Sequence, residues 1–477
     1  MNNKPDDLPD TPAEVLAGQR GGTTTPTLEG LLQDLTQRPI PVGRFHRARL
    51  LGSTQAKIAA TYFADWIRTS FKGIDAREQQ RNETRLKAAV ELLGSMAYMR
   101  GAVMKVGQLI ASYPSVAPEE FADALNPLHF EAPPMHFSLL REFVCNELGA
   151  DPEDLFDDFE TKAFAAASLG QVHRARLKGS GERVAVKIQY PSIGRAIRDD
   201  FRNLMALLFP MRLSGDWDNL KVQMDDIRGM LERETDYEQE AENLRTARDR
   251  FRDEDGIVIP KVYPKFSTKR VLTMEFIDGV HLGSFLREDP PQELRDEFGT
   301  KMAVACLRMH YGKGMVYADP QPGNYYFMPD GRLGIVDFGC CHYFTGEDFE
   351  YMSQMEAALQ TSREALRKAA RRATDERPDR RVHPEHVRLT GEVADWLWEP
   401  VRHEGPFDFG DPEYFRRGVG LMAEILRGGH TRSRPVNTWL NTNYMGFRAL
   451  LYRLKARVDF GALLKKETTV TLPAPGN

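Results

Sequence analysis

Hydrophobic positions change their period along the chain. Between Phe45 and Pro127 they recur every three or four residues. In "ETRLKAAVELLGSMAYMRGAVMKVGQLIASYP", Leu86, Val90, Leu93 and Ala97 share a helical face, and the stripe runs on through Val103 and Met104. Two prolines in "FEAPPMHF" (130–137) exclude a helix interior and mark a boundary. "SLLREFVCNELG" predicts a short helix ending at Gly149. The period then falls to two. "QVHRARL" and "RVAVKIQY" flank "KGSG", which reads as a β-hairpin.

Helical spacing returns after Pro191, through "DDIRGMLERETDYEQEAENLRTARDRF". "VLTMEFIDG" reads as a strand with a glycine turn, and from Pro290 the chain is mostly helical except at "YADPQPGNYYFMPDGRLGIVDFG". The order predicts an α+β fold: a small sheet-containing lobe (128–278), then a mainly helical lobe (279–477), preceded by a helical extension (41–127). Residues 1–40, rich in Pro, Gly and Thr, read as a disordered tail. There are no internal repeats.

The 477 residues suffice for two or three domains, and 41% hydrophobic with 28% charged residues is ordinary for a globular protein. A net charge of −5 with well-mixed signs argues against a nucleic-acid partner. Cys145, Cys306, Cys340 and Cys341 show no CxxC spacing, which argues against structural zinc. Cys340 and Cys341 read as small buried residues rather than a redox pair. No apolar run approaches a membrane span, and the polar, acid-bearing start is unlike a signal or transit peptide. The expectation is a cytoplasmic protein, with peripheral membrane contact through 56–71, where Ile58, Tyr62, Phe63, Trp66 and Ile67 lie to one side. Such a stripe more often packs on its own protein.

Phosphoryl transfer needs a cover over the phosphates, a cation to hold them, oxygen ligands for magnesium and a carboxylate beside the nucleophile. Lys187, in "VAVK", can reach from a strand toward α- and β-phosphates. Taken alone, a strand lysine is ordinarily a solvated face residue. The acidic segment "ERETDYEQEAENL" adds Glu234, Asp236 and Glu240, the last two one helical turn apart, and a carboxylate there can position Lys187. In the stiff loop "YADPQPGN", Asp319 is placed to orient an acceptor hydroxyl, and Asn324 to hold a metal ion through its carbonyl oxygen. Asp337, in "GIVDFG", supplies the hard oxygen that Mg²⁺ prefers. D-x₄-N with DFG thirteen residues beyond Asn324 is the protein-kinase pattern.

Between the lobes, the backbone from Met274 through Glu275 to Phe276 is expected to bond an adenine edge. Ala165, Ala166, Ala167 and Ser168 stand where a glycine-rich phosphate loop is usual. Each alanine gives up the positive-φ conformations open to glycine, so the predicted loop is stiff.

Taken together, "MKVGQ", "AAASLGQVH", "VAVK", "ERETDYEQE", "ADPQPGN" and "VDFG" resemble the UbiB-type atypical kinases, the AarF or ADCK group, over about residues 40–460. "EGPFDFG" (404–410) and "YRLKAR" (452–457) resemble the coenzyme Q-linked branch. The resemblance implies a bilobal protein-kinase-like fold. It implies Lys187 as the ATP-binding lysine paired with Glu240, Asp319 as the catalytic-loop aspartate, and Asn324 and Asp337 as metal ligands. Ala165–Ser168 would handle nucleotide. Lys105, Gly107 and Gln108 correspond to a KxGQ motif, and Glu234 and Asp236 to an ExD motif, with the KxGQ helix over the cleft where a protein kinase admits peptide.

The implied ligands are ATP or ADP and Mg²⁺. The implied role is ATP hydrolysis or phosphotransfer to a small or lipid-like acceptor in ubiquinone biosynthesis, with quinone-biosynthesis proteins or a second copy of the chain as partners. Many members carry histidines where this chain has Tyr317 and Gln321, and several carry a membrane span that is lacking here. No APE-type motif follows DFG; "CCHYFTGEDFEYM" leads straight into helix. Two alternatives stand beside the enzyme reading: a nucleotide-binding pseudokinase-like scaffold, and a true protein kinase, against which the occluding helix and missing docking segment count.

Overall fold

The computed structural model describes residues 137–468 apart from Ser168, Ser192, 374–383, 428–434 and most of 209–230. The expected tail, the helical extension and the helix at 56–71 lie outside the described residues. The helix expected from "SLLREFVCNELG" is α1, Ser138–Leu148. Gly149 closes it at φ 72°, in the left-handed region that an αL cap requires, with its N–H on Cys145 O. After the short α2 (Pro152–Leu155) comes a five-stranded antiparallel sheet: β1 (Phe156–Asp157), β2 (Ala165–Ala167), β3 (Gly170–Leu177), β4 (Arg183–Gln189) and, later in the chain, β6 (Val271–Glu275). β1 and β2 both pair with β3, and the path continues β3-β4-β6.

Side-chain alternation on β4 decides where the chemistry goes. Val184, Val186 and Ile188 point to one face and pack with Leu140 and Val144 of α1, Phe156 and Val271. Ala185 and Lys187 take the other face, and Ala185 joins the main core. Register sets Lys187 between Val172 of β3 and Leu272 of β6. The alanine run differs from expectation: it is a strand. Ala165, Ala166 and Ala167 pair with Val172, Gln171 and Gly170. Gly170 is required there, because a Cβ would sit 2.3 Å from Ile188 O.

Further helices are α3 (Ile193–Leu208), α4 (Tyr237–Arg248), α5 (Leu282–Arg287), α6 (Gln292–Lys313), α7 (Gly346–Thr361), α8 (Arg363–Ala373), α9 (Pro384–Leu397), α10 (Glu399–Arg402), α11 (Pro412–Arg427), α12 (Pro435–Leu454) and α13 (Phe460–Thr468). Short ladders hold the loops among them. β5 (Ile257–Val258), β9 (Leu333–Ile335) and β8 (Tyr325–Phe327) form one; β7 (Met315–Tyr317) pairs with β10 (Cys341–Tyr343). β11 (Phe407–Asp408) pairs with β12 (Arg457–Val458), which joins "EGPFDFG" to "YRLKAR" across a two-residue ladder. Thr345 starts α7 with a capping box to Asp348. Cys340 and Cys341 are buried thiols, as their size suggests.

His310, on α6, is buried among Tyr311, Phe344 and Tyr444, its ring stacked on Tyr444 at 5.7 Å. Its Nε2 has no hydrogen-bond partner among the described residues. Burial pushes its pKa down to about 3. An imidazole with a depressed native pKa stabilises the fold fully above its unfolded value of about 6.5 and loses that contribution as pH falls. In urea titrations, the wild type should lose up to about 1.4 kcal/mol per pH unit more than His310→Phe between about pH 6 and 4. Equal pH slopes would contradict the assignment.

Candidate active site

Lys187 stands at the centre of the sheet's inner face. Its Nζ donates to both oxygens of Glu240, at 2.7 and 2.9 Å, and to Oδ2 of Asp337, at 3.1 Å. Lys187 is 6% exposed and Glu240 1%. Burial works against the charged ammonium, but the Asp337 and Glu240 carboxylates outweigh it and hold the Lys187 pKa well above the usual lysine value. The ring of Tyr237, the first residue of α4, lies 5.1 Å from the ammonium.

α4 presents Glu240 because of how it begins. Asp236 is its N-cap: the carboxylate accepts from Gln239 N at 3.2 Å and pairs with Lys269 at 2.9 Å. Partial burial opposes ionisation of Asp236, but Lys269 and the cap bonds keep its pKa below the ordinary value. Asp236 therefore starts the helix, and Glu240 sits one turn in, facing inward. Glu234 is half-buried two residues before the cap.

Asp319 follows β7, and Asn324 ends a 3₁₀ turn, Pro322–Asn324, that leads into β8. Asn324 Nδ2 donates to the Asp319 carbonyl at 2.9 Å and to its carboxylate at 3.3 Å. That commits the amide nitrogen and fixes the two side chains relative to each other. Asp337 follows β9, and its Oδ1 accepts from Gly339 N at 3.1 Å. Two backbone bonds lock the Asp319 and Asp337 loops together: Ala318 N to Cys340 O at 2.9 Å and Val336 N to Asn324 O at 3.1 Å. Of these three residues Asp337 meets Lys187 directly, and the two backbone bonds tie the Asp319–Asn324 loop to the loop that carries it.

Helix α12 buttresses this loop, which motif spacing does not reveal. Asn443 Nδ2 donates to Tyr317 O at 2.5 Å, and its Oδ1 accepts from the Cys306 thiol at 3.3 Å. One turn on, Gly446 meets the residue after Asp319: a Cβ there would lie 2.4 Å from Pro320 Cγ. A glycine amid helical spacing is the one sequence signal of such a close approach. Tyr317 is buried, with its ring 5.2 Å from that of Phe338.

One expectation changes. The alanine run is a β-hairpin arm, so its stiffness comes from ladder bonds as well as from the lack of glycine. The amides of Glu275 and Phe276 are already engaged: Glu275 N donates to Lys261 O at 2.8 Å and Phe276 N to Arg183 O at 3.1 Å. The Phe276 ring meets Phe164 edge-on at 5.7 Å and lies 4.4 Å from the Arg183 guanidinium. Phe164 directly precedes the alanine strand, so an aromatic contact joins that strand to the end of β6. Lys105, Gly107, Gln108 and Ser168 fall outside the described residues.

Comparison with known proteins bears on the family. Residues 127–370 match the family model of the ABC1 atypical kinase-like domain. The chain is 36% identical over 245 residues to the protein Activity of BC1 complex kinase 1, chloroplastic, of Arabidopsis thaliana, a stretch covering 50% of this chain and 35% of that one. It is 26% identical over 448 residues to the atypical kinase COQ8B, mitochondrial, of Danio rerio, covering 91% and 69%. The match to the Arabidopsis kinase 8 homologue covers 41% of that protein, so this chain spans well under half the length of both plant relatives. Among solved structures, Rv3197 of Mycobacterium tuberculosis in complex with erythromycin superposes with a TM-score of 0.53 at 26% identity, covering 82% of this chain and 98% of that one. With half its length matched by the family model and a kinase-like mixture of small sheets and helices, the chain belongs to the ABC1 atypical kinase-like family.

Proposed function

We propose that the chain binds Mg²⁺ and ATP around Lys187 and turns the nucleotide over, by hydrolysis or by transfer to a small or lipid-like acceptor, in support of quinone-lipid metabolism. The observation that carries this reading is the buried Lys187 held between Glu240 and Asp337. An ammonium has three donors, and here all three are taken by carboxylate oxygens. Glu240 is deep and fixed; Asp337, with its side chain 28% exposed, is the partner that can leave. Nucleotide arriving in the cleft takes the Asp337 place on Lys187 with a phosphate oxygen and frees the carboxylate.

Asn324 and Asp337 offer two hard oxygens. Among the described residues no group of three or more His, Cys, Asp and Glu side chains would hold a metal by itself. That donor set fits Mg²⁺, which is held by one or two carboxylates together with substrate phosphates. When bound, the ion neutralises charge on the phosphates. Asp319, fixed by Asn324, is left to orient the hydroxyl or water that attacks. The likeness to COQ8B supports the quinone link, and the joining of "EGPFDFG" to "YRLKAR" keeps both stretches of the coenzyme Q-like pattern in one ladder. Among the described residues no helix is long and apolar enough to cross a membrane. We place the acceptor at a membrane surface, met peripherally.

Phosphate release from Mg²⁺ and ATP, measured with and without anionic liposomes and a quinone-precursor phenol, tests the reading. Asp319→Ala should lower turnover at least about 100-fold and leave ATP affinity within about twofold. ATP binding with no turnover under any of these conditions would favour the scaffold alternative. Formation of a phosphopeptide in trans, lost in Asp319→Ala, would favour a protein kinase.

Gly446→Ala tests the buttress. It should lower kcat about tenfold or more through Pro320, with ATP affinity little changed, since a displacement near the reacting groups costs rate before binding. Unchanged kcat in a folded variant would show that α12 does not set the loop.

A further inference from the structure

We infer that Asn243 is a positioning residue that clasps the Asp337–Gly339 turn to α4, with Tyr343 as the outer catch. The inference rests on the metal role proposed above for Asp337. Asn243 lies one turn beyond Glu240 on the inner side of α4 and is 2% exposed. Its Nδ2 donates to the carbonyl of Phe338 at 2.8 Å. Its Oδ1 accepts from Gln239 Nε2 at 3.0 Å and from the Tyr343 hydroxyl at 3.0 Å. A reversed amide would set Oδ1 against the Phe338 carbonyl, two acceptors face to face, so only one orientation satisfies the group.

One side chain thus joins three segments: the helix that carries Glu240, the turn that carries Asp337, and β10. The other restraints on the turn come from elsewhere. Gly339 N–H closes it internally on Asp337 Oδ1, and the fully buried Phe338 ring anchors it in the core. The Lys187–Asp337 contact is the one that nucleotide displaces in the proposed cycle. The Asn243 bond to Phe338 survives that exchange. It keeps the turn registered to α4 while the Asp337 carboxylate changes partners, so Asp337 meets the metal already oriented. Tyr343 is 38% exposed, yet its hydroxyl points inward to Asn243, on a strand five residues past Phe338. Without that hydroxyl the Asn243 oxygen loses a donor and the clasp loosens.

Two variants test this. Asn243→Asp keeps the size but turns the donor toward Phe338 into an acceptor; Tyr343→Phe removes only the hydroxyl. Equilibrium titrations of ATP at varied Mg²⁺ give the metal concentration for half-maximal gain in affinity. In Asn243→Asp this should rise at least about fivefold, with metal-free ATP affinity within about twofold, as expected when one buried hydrogen bond is lost and Lys187–Glu240 is untouched. Tyr343→Phe should give a smaller rise of about twofold to threefold. Both should speed amide exchange at Phe338–Cys340 without ligand.

A folded Asn243→Asp with wild-type Mg²⁺ dependence and wild-type exchange overturns the inference. If Asn243→Asp does not fold, Tyr343→Phe decides on the same two readouts. If the wild type shows no Mg²⁺-dependent ATP binding, the functional reading has failed, and exchange at Phe338–Cys340 alone decides the clasp.

Discussion

A charged lysine inside a protein is costly, and this structure is arranged around one. Lys187 can stay ionised in its buried place only because two carboxylates reach it from different elements, one on α4 and one after β9. Removing either side of such a pair leaves a buried charge uncompensated, a penalty of about 3–5 kcal/mol. The requirement propagates. β4 must turn Lys187 inward, so it turns Val184, Val186 and Ile188 onto α1. α4 must begin where Asp236 caps it, so that Glu240 falls one turn inside. The Asp337 loop must sit against the Asp319 loop, which is the work of the Ala318–Cys340 and Val336–Asn324 bonds.

The same pair links structure to chemistry. Three carboxylate oxygens on one ammonium make a site that is satisfied without ligand but poised to exchange. Glu240 is locked by burial, whereas the Asp337 side chain is 28% exposed and also accepts from Gly339 N. The two carboxylates differ in exposure, and in the proposed cycle Glu240 would hold the lysine while Asp337 is handed on. Support from α12, through Asn443 and Gly446, and from α4, through Asn243, would keep the loops still during the proposed exchange.

Much of this could be read from the residues in order. Lys187, Glu240, Asp319, Asn324 and Asp337 come from ordered spacing, which reports positions along one chain path; the structure joins Lys187 to Glu240 and Asp337, and Asn324 to Asp319. The hairpin around "KGSG" and the αL cap at Gly149 follow from local backbone rules. What escaped depends on contacts distant in sequence. Ala165–Ala167 looked like a loop because short alanine runs carry no strand signal; pairing with β3 makes them a strand. The bonds that the Glu275 and Phe276 amides give to Lys261 and Arg183 likewise have no local signal. Asn443, Gly446 and Asn243 have no motif, since each acts through a partner roughly a hundred residues away.

Equilibrium titration of ATP into wild type and Asp337→Asn, with and without Mg²⁺, tests the central claim most directly. If Asp337 leaves Lys187 for the metal, the variant binds metal-free ATP more tightly than wild type, because a repelling charge and a competitor for the ammonium are gone. The same variant loses the gain in affinity that Mg²⁺ brings. Unchanged metal-free affinity together with a full Mg²⁺ gain would contradict the account.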